Sequence, residues 1–301
     1  MLTVSYNLSA TLKERLAKAD ALRKEILLTP ASPVTESTLR WQATLAHLQG
    51  WASLSNQPLT ADSINSIVNQ FHSKTSSPLT AKVLHYRNSL NYVREFWPAN
   101  PGLVTFATIK ELATILGVNP GPEKEVQSLL DYLQTGQVHP IIQSATAHLY
   151  FYPSRLAYLV SLLFLTKHNY DLRGWLSLED FWNKNKSDYL QVIQQSTHSA
   201  NTTLWLEYFG QAMVNQISKI QSILNSRLST PSVQPSTKKL GNRQKEILSM
   251  LEKPEASISN VVVQNAFNVS QITASRDLAK LVSLGRLFVH GSGRSTYYTR
   301  V

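Results

Sequence analysis

Apolar residues recur at helical spacing through most of the chain, and the alternation that marks a half-buried strand is almost absent before residue 285. That pattern predicts a fold made by packing helices on helices. NLSATLKERLAKADALRKEILL repeats leucine at helical spacing, with Ser9 placed to cap it. ESTLRWQATLAHLQGWASL is a second helix. LTADSINSIVNQF is a third, with Thr60 as cap and Ser63 three residues on. AKVLHYRNSLNYVREFW stops near Pro98, and TFATIKELATILGV ends at Gly117. EKEVQSLLDYLQ, PIIQSATAHLYF, SRLAYLVSLLFLTK, SLEDFWNKNKSDYLQVIQQ and TLWLEYFGQAMVNQISKIQSILNSR continue the series, with no internal repeat.

Hydrophobic residues make up 43% of the 301 positions, enough for a substantial core. The absence of cysteine excludes disulfides, thiolate metal sites and a cysteine nucleophile. It suits a reducing compartment, so a cytoplasmic location is expected. The start, MLTVSYNLSATLKERLAK, has no basic segment leading into an apolar one, so no secretory signal is expected. The longest apolar run, Tyr158 to Leu165, falls far short of the roughly 20 residues a spanning helix needs. No membrane partner is expected.

Charge divides the chain unevenly. Of the formal +10, the segment from Pro231 onward holds ten Lys/Arg against four Asp/Glu, a net +6. That segment is the electrostatic candidate for a polyanion. It overlaps NSRLSTPSVQPSTKKLGN, a Ser/Thr/Pro-rich stretch without apolar period that reads as a linker at 229–241. The expected organisation is a helical domain at 1–228, the linker, and a small domain at 242–301.

In the small domain NRQKEILSMLEK and SISNVVVQNAFN read as two helices. VSQITASRDLAKLVSLG reads as a third, capped by Ser270 and ended by Gly285. RLFVHGSGRSTYYTRV then alternates around a glycine turn, a two-stranded hairpin. Three helices and a terminal hairpin predict a winged helix-turn-helix. Its third helix would enter the major groove and present Ser270, Gln271, Thr273, Arg276 and Lys280. Gln can pair bidentately with adenine and Arg with guanine. At the wing tip Gly291 and Gly293 allow close approach to a phosphate, and Arg294 can pair with it or enter the minor groove. Double-stranded DNA is the expected partner. If winged helices serve here for protein docking instead, Arg276 would pair with Asp277 or another acidic group.

VSQITASRDLAKLVSLGRL resembles the recognition segment of bacterial winged-helix regulators, and GSGRSTYY resembles the wing that closes many Fic-family proteins. The helical domain resembles the Fic (Fido) family in order and spacing. EVQSLLDYLQ with HPIIQSATAHLYF resembles the helices before the family's active-site loop, and HYRNSLNYV and IKELATIL resemble upstream helices. RLAYLVSLLFL with DLRGWLSLEDFWNKNKSDYLQVI resembles the segment after that loop. The resemblance implies an all-α domain and, in its active members, AMP transfer to a protein hydroxyl. The family's loop, H-P-F-x-[DE]-G-N-G-R-x-x-R, supplies a general base, a carboxylate for Mg²⁺ and a phosphate cradle. Here only YPS separates Phe151 from Arg155, so some eight residues of that loop are missing. A rival alignment begins the loop at His139-Pro140. It places Gln143 at the metal position and Ser144 to Ala147 over G-N-G-R. Two further parts are absent. LGVNPGPEKEV is too short for the family's flap, and WASLSNQPLT puts Ser55 where an inhibitory glutamate would stand.

The fold class expected is therefore all-α, a Fic-like helical domain followed by a small winged-helix domain with a two-stranded wing. The expected function is a non-catalytic, DNA-binding transcriptional regulator with no catalytic residue, no metal and no cofactor, able to form homodimers or to meet a protein partner. The alternatives are an adenylyltransferase with a non-standard site and a protein-docking scaffold.

Overall fold

The computed structural model describes residues 5–69, 77–99, 102–135, 137–229, 240–251, 256–290 and 296–300. The helices are α1 (Ala10–Leu28), α2 (Pro33–Leu54), α3 (Ala61–Asn69), α4 (Pro78–Asn91), α5 (Trp97–Ala99), α6 (Phe106–Leu116), α7 (Glu123–Thr135), α8 (Pro140–Phe151), α9 (Leu156–Lys167), α10 (Leu178–Lys184), α11 (Lys186–Thr197) and α12 (Thr203–Ser229). One π-helical turn, Tyr92–Phe96, joins α4 to α5.

Capping follows the expected chemistry. Ser9, Ser32, Ser77 and Thr105 accept from the backbone N–H three residues on, at the starts of α1, α2, α4 and α6. Thr60 Oγ1 accepts from Ser63 N at 3.1 Å ahead of α3. Gly117 closes α6 in the left-handed region at φ 69°, where a side chain would be strained.

Two apolar cores meet along the α8–α9 pair. Trp51, Tyr86, Leu90, Leu112 and Leu130 belong to one; Leu12, Trp182, Tyr189, Trp205 and Phe209 belong to the other. Residues of α8 and α9 enter both, and both helices are buried on nearly every side. That explains why their sequences are apolar all round rather than along one stripe.

Two local expectations change. The first is SLEDFWNKNKSDYLQVIQQ, which is two helices. Asn185 leaves helical geometry (φ −116°, ψ 43°), and its side-chain Nδ2 donates to the Phe181 carbonyl at 2.8 Å. Asparagine competes with the helix for its own carbonyls in this way.

The second lies among the C-terminal elements, which are α13 (Asn242–Met250), β1 (Ser257–Ser259), α14 (Asn260–Phe267), α15 (Gln271–Ser283), β2 (Leu287–His290) and β3 (Tyr297–Arg300). The sheet is antiparallel in the order β1-β3-β2, with Ile258 opposite Tyr298 and Phe288 opposite Thr299. The wing hairpin thus gains a third strand in a stretch that reads as helix. Ser257–Ser259 is drawn into the sheet by pairing with β3, and Ser259 then caps α14. This unit has its own core of Ile247, Leu251, Ile258, Val263, Ala274, Leu278, Leu281 and Leu287. Among the described residues no helix is long and apolar enough to cross a membrane.

Candidate nucleic-acid interface and the α8–α9 connection

The capping chemistry of α15 fixes which of its groups remain available. Ser270 Oγ accepts from Thr273 N at 3.3 Å, and the two hydroxyls lie 3.0 Å apart. Ser270 and Thr273 therefore hold the helix start. Ala274, Asp277, Leu278 and Leu281 face the core. Gln271, Ile272, Ser275, Arg276, Ala279 and Lys280 are exposed and form one outward stripe at helical spacing. The sequence-predicted residues thus separate into a capping pair and an exposed set of Gln271, Arg276 and Lys280. Arg294, with Gly291 and Gly293, lies outside the described residues.

Asp277 does not pair with Arg276. It is 6% exposed, and its carboxylate accepts from Arg243 Nε and Gln244 Nε2, both at 2.6 Å. The one acidic residue of α15 is thereby buried and paired with α13, while Arg276 and Lys280 stay exposed. The outward face of α15 is left cationic, with Ile272 as its large apolar member. Sequence reasoning missed Ile272, which periodicity alone does not separate from the core leucines.

The second region of interest is the joint between α8 and α9. Only Tyr152, Pro153, Ser154 and Arg155 connect them, and the Tyr152–Pro153 peptide is cis. Ser154 Oγ accepts from Leu156 N at 3.2 Å. Arg155 lies 5.9 Å above the Trp51 ring, and burial draws its guanidinium below the usual arginine value. The connection between the two helices is four residues long. The residues of the rival alignment sit at the start of α8 and inside it. His139 is the N-cap of α8, its Nδ1 accepting from Ile141 N at 3.2 Å, and its Nε2 lies 3.2 Å from Asp20. Gln143 to Ala147 are buried inside α8, and Ser144 Oγ is bonded to Ser161.

No protein-family model matches the chain, and no curated protein sequence does. Solved structures do. A Fic family protein from Desulfovibrio desulfuricans G20 superposes over 99% of this chain and 98% of its own, with a TM-score of 0.61 and 12% identity. The fold is Fic-like. A Fic domain containing signaling protein from Bacteroides thetaiotaomicron VPI-5482 covers 72% of this chain and 98% of its own, with a TM-score of 0.50 and 14% identity.

In this Fic-like fold the position of Ser55, the C-cap of α2, is followed by Asn56 in the left-handed region at φ 57°. Lys186 Nζ donates to Ser53 O at 2.7 Å and to Asn56 Oδ1 at 2.8 Å, so α11 ties this turn down. Behind the α8–α9 connection, His148 sits fully buried among Tyr158, Trp182, Tyr189, Trp205 and Phe209. Its Nε2 lies 3.0 Å from Tyr189 Oη, while Nδ1 has no hydrogen-bond partner among the described residues. His148 is thus a half-satisfied core histidine.

Burial pushes His148 down to about 3 from 6.5, against the opposing pull of Glu179. Between those values the unfolded chain holds a proton that the folded chain does not, so stability falls as pH drops from 6.5 toward 3. The slope expected is about 1.4 kcal/mol per pH unit. Urea unfolding at a series of pH values measures it, and a His148→Gln variant should lose this part of the slope. An unchanged slope in the variant contradicts the assignment.

Proposed function

We propose that the chain is a non-catalytic Fic-like protein that binds double-stranded DNA in the cytoplasm as a transcriptional regulator. In this reading residues 242–301 form a winged helix-turn-helix, joined by a linker at 229–241 to the helical domain at 1–228. The observation that carries it is the outward stripe of α15. Gln271, Arg276 and Lys280 project from the core while Asp277 is turned inward and paired. The net +6 of the segment from Pro231 onward supplies the long-range attraction. The helical domain would serve dimerisation or partner docking without cofactor, metal or catalytic residue, and the four-residue α8–α9 connection supports that absence of chemistry. Two copies on a two-fold axis would address half-sites about one helical turn apart.

Duplex binding by the whole protein, measured by fluorescence anisotropy across a salt series, tests this reading. The affinity should fall steeply with salt, by about 0.9 in the logarithmic slope for each phosphate neutralised. Lys280→Ala should make that slope shallower by about 1. Binding that is absent, or indifferent to salt, would instead favour a protein-docking module, for which exposed Val261 and Phe288 are available.

A further inference from the structure

We infer that α15 reads a thymine methyl group through Ile272. The inference rests on the DNA reading above and specifies what the outward stripe recognises. Ile272 is 65% exposed, although it is a β-branched aliphatic residue on a helix whose Leu278 and Leu281 are fully buried. Its exposure therefore does not come from a general apolar surface on α15. Its neighbours on the stripe are Gln271, Ser275, Arg276, Ala279 and Lys280. A protein-docking patch would be contiguous and apolar, and this stripe is neither. Ile272, the one large aliphatic side chain among these amide, hydroxyl and cationic groups, complements the donor–acceptor–methyl mixture that the major groove presents.

Position and availability narrow the choice further. Ile272 stands in the first turn of α15, the part of a recognition helix that meets base edges. Arg276 comes four residues later and shares its face. Ser270 and Thr273 are committed to the cap, and Ser275 Oγ accepts from Asn260 Nδ2 at 2.8 Å. In the first two turns that leaves Gln271, Ile272 and Arg276 to face the bases. Thymine alone among the four natural bases offers a methyl in the major groove, and Gln suits adenine while Arg suits guanine. The set therefore predicts a half-site that combines A·T pairs, read by Gln271 and Ile272, with a guanine read by Arg276.

The test uses the full chain and the duplex it enriches from a random pool. Each thymine of that duplex is replaced in turn by deoxyuridine, which deletes the methyl alone. At one position per half-site, affinity should fall about four-fold, the worth of one buried methyl. The Ile272→Ala variant, whose fold is checked by thermal melting, should bind the thymine duplex about as weakly as the wild type binds the uracil one. It should also be indifferent to the substitution. Enrichment of a sequence in which no thymine methyl matters, or in which it matters equally to Ile272→Ala, overturns this inference and leaves DNA binding standing. Failure to enrich any sequence overturns both.

Discussion

A Glu179→Ala variant is expected to lose about 3–5 kcal/mol of stability, the cost of breaking a buried charge arrangement from one side. Glu179 is 2% exposed at the start of α10. Its Oε1 accepts from Tyr86 Oη at 2.8 Å, and its Oε2 lies 2.7 Å from His47 Nδ1. His47 Nε2 is in turn 2.8 Å from the Leu176 carbonyl, so the ring bridges α2 to the residues around Glu179. Burial alone would raise the Glu179 carboxyl. The His47 charge and the bonds from His47 and Tyr86 outweigh it and hold the group below 4.5. Removing the carboxylate strands His47 and the Tyr86 hydroxyl in the core. Glu179→Gln should cost less, since the amide oxygen can still accept from Tyr86. The same lowered value gives a stability contribution that is full above pH 4.5 and lost as pH falls through the folded value. Between pH 6.5 and 4.5 the His148 effect acts without this one, so a pH series distinguishes them there. Urea unfolding of the alanine variant within about 0.5 kcal/mol of the parent would contradict the role given to this network.

Gly50→Ala is the second large effect, at about 3 kcal/mol, the upper end for an overpacked core. A Cβ at Gly50 would stand 2.6 Å from both Glu179 Cβ and the Glu179 carbonyl oxygen, and 2.7 Å from its carbonyl carbon. Two of those three atoms are backbone, so no rotamer change relieves the clash. The helices α2 and α10 would have to separate, which also pulls His47 away from Glu179. The alanine variant should therefore lose stability and shift the acid unfolding profile together. Ala substitution at Gly102, where a Cβ meets nothing within 4 Å, is the control and should leave both unchanged. A stable Gly50→Ala protein would mean that the α2–α10 approach is looser than described.

Legibility in the sequence depends on how local each determinant is. The span of α8, the caps at Ser9 and Ser270, and the turns at Gly117 and Gly285 depend on a few neighbouring residues, and periodicity with capping chemistry is enough to place them. β1 escapes such reading because its only reason to be a strand is β3, some forty positions later. The break at Asn185 escapes it because one asparagine side chain outweighs an otherwise helical pattern. The inward pairing of Asp277 is equally hidden, since its partners Arg243 and Gln244 belong to another helix. Pairing Arg276 with Asp277 as neighbours on one helix ignores that successive residues point to different sides. The short joint between Phe151 and Leu156, by contrast, is visible as a count of residues. The Fic-like arrangement is legible from the order of several modest helix patterns, at an identity of only 12–14% to the solved structures that share it.

The most direct test of the central claim is selection from a random duplex pool at near-physiological salt, then binding of the Gln271→Ala, Arg276→Ala double variant to the winning sequence. Sequence-specific binding by this stripe predicts an enriched motif and a loss of at least about 10-fold in the double variant, with the thermal melt unchanged. A pool that enriches no motif, or a motif that the double variant binds as tightly as the parent, would contradict it.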